Sequence, residues 1–179
     1  MIRKLMIAAL AALIVIPAAA WAQGIVVERE EMISVLSGYH GGPGAEYWQR
    51  LDPASTRATL RAIIEDESVF PVARSRAMRA LTYVDGQAGE YLGSRAASEK
   101  NTYLRASAYD AHARAAGEGA LPALTGALND SDAMVRIMAA RNLSRIGTPE
   151  AKQTLRRAME SEKNGVARSI MSRSLREDK

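Results

Sequence analysis

The sequence predicts an all-α protein built from repeated pairs of helices. Four similar phrases recur along the chain, and each is anchored on an arginine: Arg74, Arg105, Arg136 and Arg168. The successive separations are 31, 31 and 32 residues, a period typical of helical-hairpin arrays in which each unit buries its apolar face against its neighbours. The composition favours the same class, because aromatic residues make up only 5% of the chain and alanine is abundant, which suits close-packed helices better than a β-sandwich.

Each repeat contains two amphipathic helical patterns. An apolar pair spaced i, i+4, such as Leu124 and Leu128, precedes a short polar turn. Apolar or small residues at i, i+4 and i+8 follow the turn, as at Val135, Ala139 and Leu143. This spacing places one apolar stripe on each of two helices.

Helix boundaries carry their own signals. The tripeptide Thr148-Pro149-Glu150 supplies an N-cap, a first-turn proline and an early acid, and the dipeptide Asp52-Pro53 starts the first unit in the same way. Gly147 suits the end of the preceding helix. One repeat position holds only small residues, which predicts close approach of the facing helices: Ala77, Ala108 and Ala139.

The first 22 residues predict a cleaved signal peptide. Arg3 and Lys4 precede an uncharged apolar run from Leu5 to Ile16, and small residues stand at both ends of Ala20-Trp21-Ala22, so cleavage is expected between Ala22 and Gln23. An uncleaved anchor is the competing interpretation, although the run is too short to span a bilayer. The remaining 157 residues (179 − 22) are expected to form an exported, periplasmic or secreted domain without a transmembrane segment.

The mature chain divides into a cap and an array. Residues 23–54 do not fit the repeat and predict an N-terminal helical cap, with a glycine-rich loop at Gly38–Gly44 whose role is open. Residues 55–179 predict the array, with units at approximately 55–86, 87–117, 118–147 and 148–179. There is no cysteine, which excludes a lipidated N-terminal cysteine, disulfides and thiolate metal sites.

The third unit carries the fullest motif. It combines Ala120-Leu-Pro-Ala-Leu124, Asn129-Asp-Ser-Asp132, Val135-Arg136, and a closing stretch from Ile146 to Ala151. This phrase resembles the bacterial HEAT repeat, and the resemblance extends more loosely over residues 55–174. It implies a right-handed α-solenoid of about four HEAT-like hairpins. Second helices would line the concave side, and the usual role would be that of a scaffold or binding surface.

The second unit departs most from the HEAT pattern. Gly93 and His112 stand where larger aliphatic residues are expected. We interpret His112 as a packing histidine. The other histidine, His40, lies beside Tyr39 in the glycine loop, where it either contacts a ligand or has no special role.

Catalytic chemistry has few candidates in this chain. Neither His40 nor His112 is followed by the glutamate that iron-binding HEAT-repeat hydroxylases carry. Serine-hydrolase, phosphate-loop, dinucleotide and metal-ligand motifs are absent from the sequence. We therefore expect no enzyme activity, no cofactor and no metal. A HEAT-like lyase-type enzyme or pigment carrier, similar in scaffold to the phycobilin lyases, is a third possibility.

The four anchoring arginines predict a structural ladder. A guanidinium just after a turn can bridge carbonyl or acidic groups of that turn and tie successive units together. Each turn carries such acids: Glu65, Asp66 and Glu67; Glu99; Asp130 and Asp132; Glu162.

A second set of arginines predicts a partner-binding strip. Five residues after each ladder arginine stand Arg79, Asp110, Arg141 and Arg173, and further arginines lie nearby: Arg114, Arg145 and Arg176. These positions point away from the apolar stripe. They form either an ordinary solvated face or a docking strip for an acidic protein segment or an anionic envelope component. Export and the lack of interleaved aromatic residues argue against nucleic acid.

The sequence thus predicts a non-catalytic protein-binding scaffold or adaptor of the cell envelope, acting through the concave face of its second helices. The charge distribution favours a polar partner, since residues 133–179 hold 11 Lys plus Arg against 5 Asp plus Glu. The alternative is a structural assembly subunit that docks through apolar ends of the stack: Tyr47, Trp48 and Phe70.

Overall fold

The computed structural model describes residues 24–38 and 42–176. The predicted signal peptide and the loop residues Tyr39 and His40 lie outside these ranges. The helices are α1 (Arg29–Ser37), α2 (Ala45–Trp48), α3 (Pro53–Glu65), α4 (Pro71–Val84), α5 (Ala88–Ser98), α6 (Thr102–Ala116), α7 (Leu121–Ala127), α8 (Ala133–Ile146), α9 (Pro149–Ser161) and α10 (Gly165–Ser174). A 3₁₀ turn, Gly117–Ala120, leads into α7. No helix within the described ranges is long and apolar enough to cross a bilayer.

From α3 onward the helices pair into hairpins. The members of each pair, α3/α4, α5/α6, α7/α8 and α9/α10, contact each other along the stack. Each second helix also packs on the next second helix, α4 on α6, α6 on α8 and α8 on α10. First helices approach one another less closely, so the second helices form the inner layer. The prediction of an all-α solenoid is confirmed.

Side-chain caps set the helix ends where the sequence signals them. Asp52 accepts a hydrogen bond from the Ser55 amide at 2.8 Å, and Thr148 Oγ1 accepts one from the Ala151 amide at 3.2 Å. These contacts satisfy N–H groups that lack partners within the helix. Gly147 ends α8 with φ at 71°, a conformation that favours glycine.

Alanines form the contact layer between second helices. Ala77, Ala108 and Ala139 are fully buried on α4, α6 and α8, which allows these helices to approach closely. Each first helix contributes a fully buried leucine: Leu60, Leu92, Leu124 and Leu155. The core of the described residues has an N-terminal and a C-terminal cluster, and α6 contributes residues to both.

The unusual residues of the second hairpin compensate for each other. The His112 ring is buried against Gly93, and its Nδ1 donates a hydrogen bond to the Gly89 carbonyl at 2.7 Å. A Cβ atom at Gly93 would lie 3.0 Å from His112 Cε1, which is closer than ordinary packing permits. Glycine on α5 therefore makes the space that histidine on α6 fills.

We expect Gly93→Leu to lower the free energy of unfolding by about 2 kcal/mol, because the larger side chain overfills the space beside His112. In the double variant Gly93→Leu, His112→Ala the same leucine should cost less, since the space that the histidine occupied becomes free. Urea unfolding of the two single variants and the double variant measures this coupling. Additive effects would contradict the packing argument.

The N-terminal segment covers the first hairpin. Helices α1 and α2 both pack on α4. Arg76 of α4 donates through Nη1 to the carbonyls of Leu36 at 2.7 Å and Gly38 at 2.6 Å, which satisfies acceptors at the end of α1. Gly24 lies so close to the chain that a Cβ there would meet the Asp52 nitrogen at 2.5 Å.

Candidate functional site

Two sets of arginines lie on the second helices. The arginine ladder comprises Arg74, Arg105, Arg136 and Arg168 near the N-terminal ends of these helices. The second set lies nearer their middles and C-terminal ends, and lines a surface that we call the basic groove: Arg79, Arg114, Arg141, Arg145 and Arg173.

Arg136 shows the full contact pattern of the ladder. Its Nη1 donates to the carbonyls of Asp130 at 2.8 Å and Ser131 at 3.0 Å, both in the turn of its own hairpin. Its Nε and Nη2 donate to the two carboxylate oxygens of Glu162 at 2.7 and 2.9 Å. Glu162 belongs to the turn of the next hairpin, so one guanidinium joins two repeats.

Arg105 repeats this pattern one hairpin earlier. Its Nη1 donates to the carbonyls of Glu99 and Lys100, each at 3.1 Å. Its Nε and Nη2 donate to Asp130 at 2.8 and 3.0 Å. The acid again comes from the following turn, and this bidentate geometry is the strongest form of arginine–carboxylate contact.

Arg74 makes the same connection more loosely. It is 6% exposed, and its Nε donates to the Ile64 carbonyl at 3.0 Å. Its Nη2 lies 3.8 Å from Glu99 Oε2. The contact within the hairpin is therefore a hydrogen bond, whereas the contact to the next hairpin is an ion pair at longer range.

The two ends of the ladder differ from its middle. At the N-terminal end, Arg29 of α1 pairs with Asp66 in the first turn, so the cap supplies an arginine where no preceding repeat exists among the described residues. At the C-terminal end, the Arg168 side chain donates, within residues 42–176, only to the Glu162 carbonyl of its own turn, at 2.9 Å from Nε. Arg168 has no carboxylate partner among the described residues.

The ladder contacts lower the pKa values of the carboxylates that they engage. Hydrogen bonding by Arg136 lowers the pKa of Glu162 to about 2, against an opposing effect of burial. Hydrogen bonding by Arg105 likewise lowers the pKa of Asp130. These carboxylates therefore stay ionised over the whole physiological pH range, and each ladder pair remains charged on both sides.

The basic groove runs along the inner layer as three adjoining depressions. One of about 490 Å³ lies between α8 and α10 and includes Arg141, Arg145 and Arg173 in its wall. One of about 280 Å³ joins α4, α6 and α8, and one of about 500 Å³ lies at the C-terminal ends of the same three helices. Arg176 is exposed at the end of α10 and does not line these depressions.

Charge compensation is uneven along the groove. Within the described residues, Asp110 neutralises the part near Arg79 and Arg114, whereas Arg141 and Arg173 have no carboxylate within 4 Å. Burial, followed by repulsion from Arg114, lowers the pKa of the Arg145 guanidinium. In the α8–α10 part, Arg141 and Arg173 therefore present positive charge without a carboxylate partner among the described residues.

The exposure of the aromatic residues differs in part from what the alternative assembly function predicts. The alternative assembly function places Trp48 at an apolar docking end, and this part of it is wrong: Trp48 is 1% exposed, and its Nε1 donates to the Pro43 carbonyl at 3.2 Å. Phe70 is 80% exposed at the start of α4. Tyr47 is partly buried and packs edge-on against Trp48.

Sequence reasoning missed a regular row of exposed apolar side chains. We call it the apolar row, and each member stands two residues before a ladder arginine: Val72, Tyr103, Met134 and Val166. These residues lie in the first turn of each second helix. Their common offset from the arginines is the signal that could have found them.

The described residues contain no group of three or more His, Cys, Asp or Glu side chains placed to hold a metal ion. Residues 89–176 match the family model described as HEAT repeats. None of the curated proteins matches the chain.

Proposed function

Because the chain is a HEAT-repeat protein, we propose that it is a non-catalytic scaffold that binds an acidic protein segment in the basic groove. HEAT repeats are commonly protein-interaction scaffolds. The observation that supports this specific role is the wall of the α8–α10 depression, which includes Arg141, Arg145 and Arg173. Among the described residues these three guanidinium groups have no carboxylate partner within 4 Å, although Arg145 donates to Asn142 Oδ1. Arg105 and Arg136 of the ladder, by contrast, are engaged with carboxylates within the chain.

The groove suits an extended acidic segment. Neighbouring packed helices lie about 9 Å apart, so the three steps from α4 to α10 span about 27 Å. An extended peptide rises about 3.3 Å per residue, and about eight residues would cover this distance. Arginine forks match the planar carboxylates of such a segment.

We place this activity in the cell envelope. The pattern of residues 1–22 supports export, with cleavage between Ala22 and Gln23. The partner is then a periplasmic, secreted or membrane-attached protein with an acidic segment exposed on the same side of the membrane. Steering by the basic groove speeds association with such a segment at low ionic strength.

Assembly with sister domains is a second candidate function. The apolar row supports it, because four apolar side chains repeat along one edge of the stack while remaining exposed to solvent. Added salt does not weaken binding through apolar surfaces, whereas it screens and weakens binding through exposed charges. The apolar row replaces the stack ends of the sequence prediction as the candidate docking surface.

We expect the triple variant Arg141→Glu, Arg145→Glu, Arg173→Glu to bind a fluorescein-labelled peptide of eight glutamates more than tenfold less tightly than the wild type. Reversing three exposed charges replaces attraction by repulsion. Fluorescence anisotropy at 20 and 200 mM salt measures the affinity, which should fall with salt in the wild type.

Two matched variants make this test specific. Arg57→Glu, Arg156→Glu, Arg157→Glu changes the net charge equally on exposed positions of first helices α3 and α9, and should bind nearly as the wild type does. Val72→Ser, Met134→Ser alters the apolar row and should leave peptide binding unchanged. Equal weakening by both triple variants would reduce the effect to net charge and contradict a defined groove.

A further inference from the structure

One acid interrupts the otherwise regular arginines of the inner layer. The residues five positions after the ladder arginines are Arg79, Asp110, Arg141 and Arg173. Three second helices therefore present a guanidinium at this repeat position, and α6 presents a carboxylate. Asp110 lies in the depression that joins α4, α6 and α8, so its charge acts inside the proposed binding surface.

Asp110 is already engaged by the arginines on either side of it. Its Oδ2 accepts a hydrogen bond from Arg114 Nε at 2.8 Å. The same oxygen lies 3.7 Å from Arg79 Nη2 on the neighbouring helix α4. The Asp110 side chain is 18% exposed, compared with 53% for Arg79, so the carboxylate lies beneath the guanidinium groups that it neutralises.

A ligand carboxylate cannot use these arginines at full strength while Asp110 remains in place. Two carboxylates that share one guanidinium repel each other. The incoming group would have to displace Asp110 or accept that repulsion, and either costs free energy. The α8–α10 part imposes no such competition, because Arg141 and Arg173 have no carboxylate partner among the described residues.

We infer that Asp110 is an internal counter-ion that weakens the attraction of the α4–α6 part of the basic groove for acidic ligands, so that a segment lying along the groove is held mainly by the α8–α10 part. This inference rests on the proposed function and concerns the regulation of the same site. Arg79 and Arg114 then contribute little to binding in the wild type, and they contribute fully only when the Asp110 charge is removed or displaced.

The test compares Asp110→Asn with the wild type, using the same labelled peptide of eight glutamates at 20 mM salt. The asparagine keeps the size of the side chain and removes one negative charge. We expect about tenfold tighter binding, the effect of removing one like charge about 6 Å from the ligand at an effective dielectric constant of about 40. Glu90→Gln is the matched control, because it makes the same charge change on the exposed outer face of the same hairpin.

A second substitution tests whether Arg79 contributes more to peptide binding once the Asp110 charge is removed. Arg79→Gln should weaken binding by the wild type about twofold, because Asp110 already neutralises part of the Arg79 charge. In the Asp110→Asn background, the same substitution should weaken binding about fivefold, because Arg79 is then free to contact the ligand. Circular dichroism of each variant verifies that the helices are intact.

The outcomes separate this inference from the function on which it rests. A wild type that fails to bind the peptide overturns both. A wild type that binds with salt sensitivity, together with an Asp110→Asn variant that binds no more tightly, overturns the inference alone. Equal gains in Asp110→Asn and Glu90→Gln overturn it too, because the effect would then be one of net charge.

Discussion

Arg136→Ala is expected to lower the free energy of unfolding by about 3 kcal/mol. The substitution removes four hydrogen bonds that join two repeat turns. It also leaves Glu162, whose side chain is 4% exposed, without its counter-ion. Removing one partner of a buried ion pair costs this much because the remaining charge stays desolvated. Urea unfolding followed by circular dichroism measures the loss.

Arg168→Ala is the matched control for this prediction. Arg168 occupies the same repeat position, but it is exposed and bonds only the Glu162 carbonyl among the described residues. Its replacement should cost less than about 1 kcal/mol, as for an ordinary exposed contact. Equal losses in the two variants would show that the link to the next repeat contributes nothing to stability.

Acid is expected to remove about 3 kcal/mol of stability through Glu162. Its pKa falls from 4.5 to about 2 on folding, mainly through hydrogen bonding by Arg136. A lowered pKa means that the unfolded chain binds the proton more tightly, so this contribution is complete above about pH 4.5 and is lost as the pH falls towards 2. Asp130, whose pKa is also lowered, acts in the same direction.

Comparison with Glu162→Gln isolates this contribution. The variant lacks the titrating group, so the difference in unfolding free energy between it and the wild type should shrink as the pH falls from 5 to 2. Urea unfolding at each pH gives this difference. A difference that stays constant across the range would contradict the coupling of Glu162 to folding.

The repeated helical pairing was predictable because local chemistry and period agree. Thr148 and Asp52 cap α9 and α3 as their sequence context indicates, and Gly147 ends α8. The fit between Gly93 and His112 was not predictable. Both residues look like departures from the repeat until α5 and α6 are placed side by side, because the compensation depends on a contact across the hairpin.

The sequence indicates which residues belong to the candidate site better than it indicates which contacts they make. Every turn carries an acid, so the sequence alone does not tell whether Arg136 pairs within its own turn or with Glu162 of the next turn. The stacking of hairpins decides this. Hydrophobicity likewise placed Trp48 at a docking surface, whereas Trp48, at the end of α2, is buried in the core cluster that also contains Met32 and Leu36 of α1. The pairing of Asp110 with Arg79 also depends on how α4 and α6 align, whereas its pairing with Arg114 is local, at i and i+4 on α6.

The arginine ladder has a mechanical consequence. Its ion pairs connect successive hairpins along the edge formed by the turns, near the N-terminal ends of the second helices. The basic groove extends towards their C-terminal ends, where no equivalent chain of bidentate ion pairs exists among the described residues. When the stack of hairpins bends, the bending axis should therefore lie along the edge formed by the turns, where the ladder holds successive hairpins together. This motion would change the distance between Arg145 and Arg173 more than the distances between the ladder arginines.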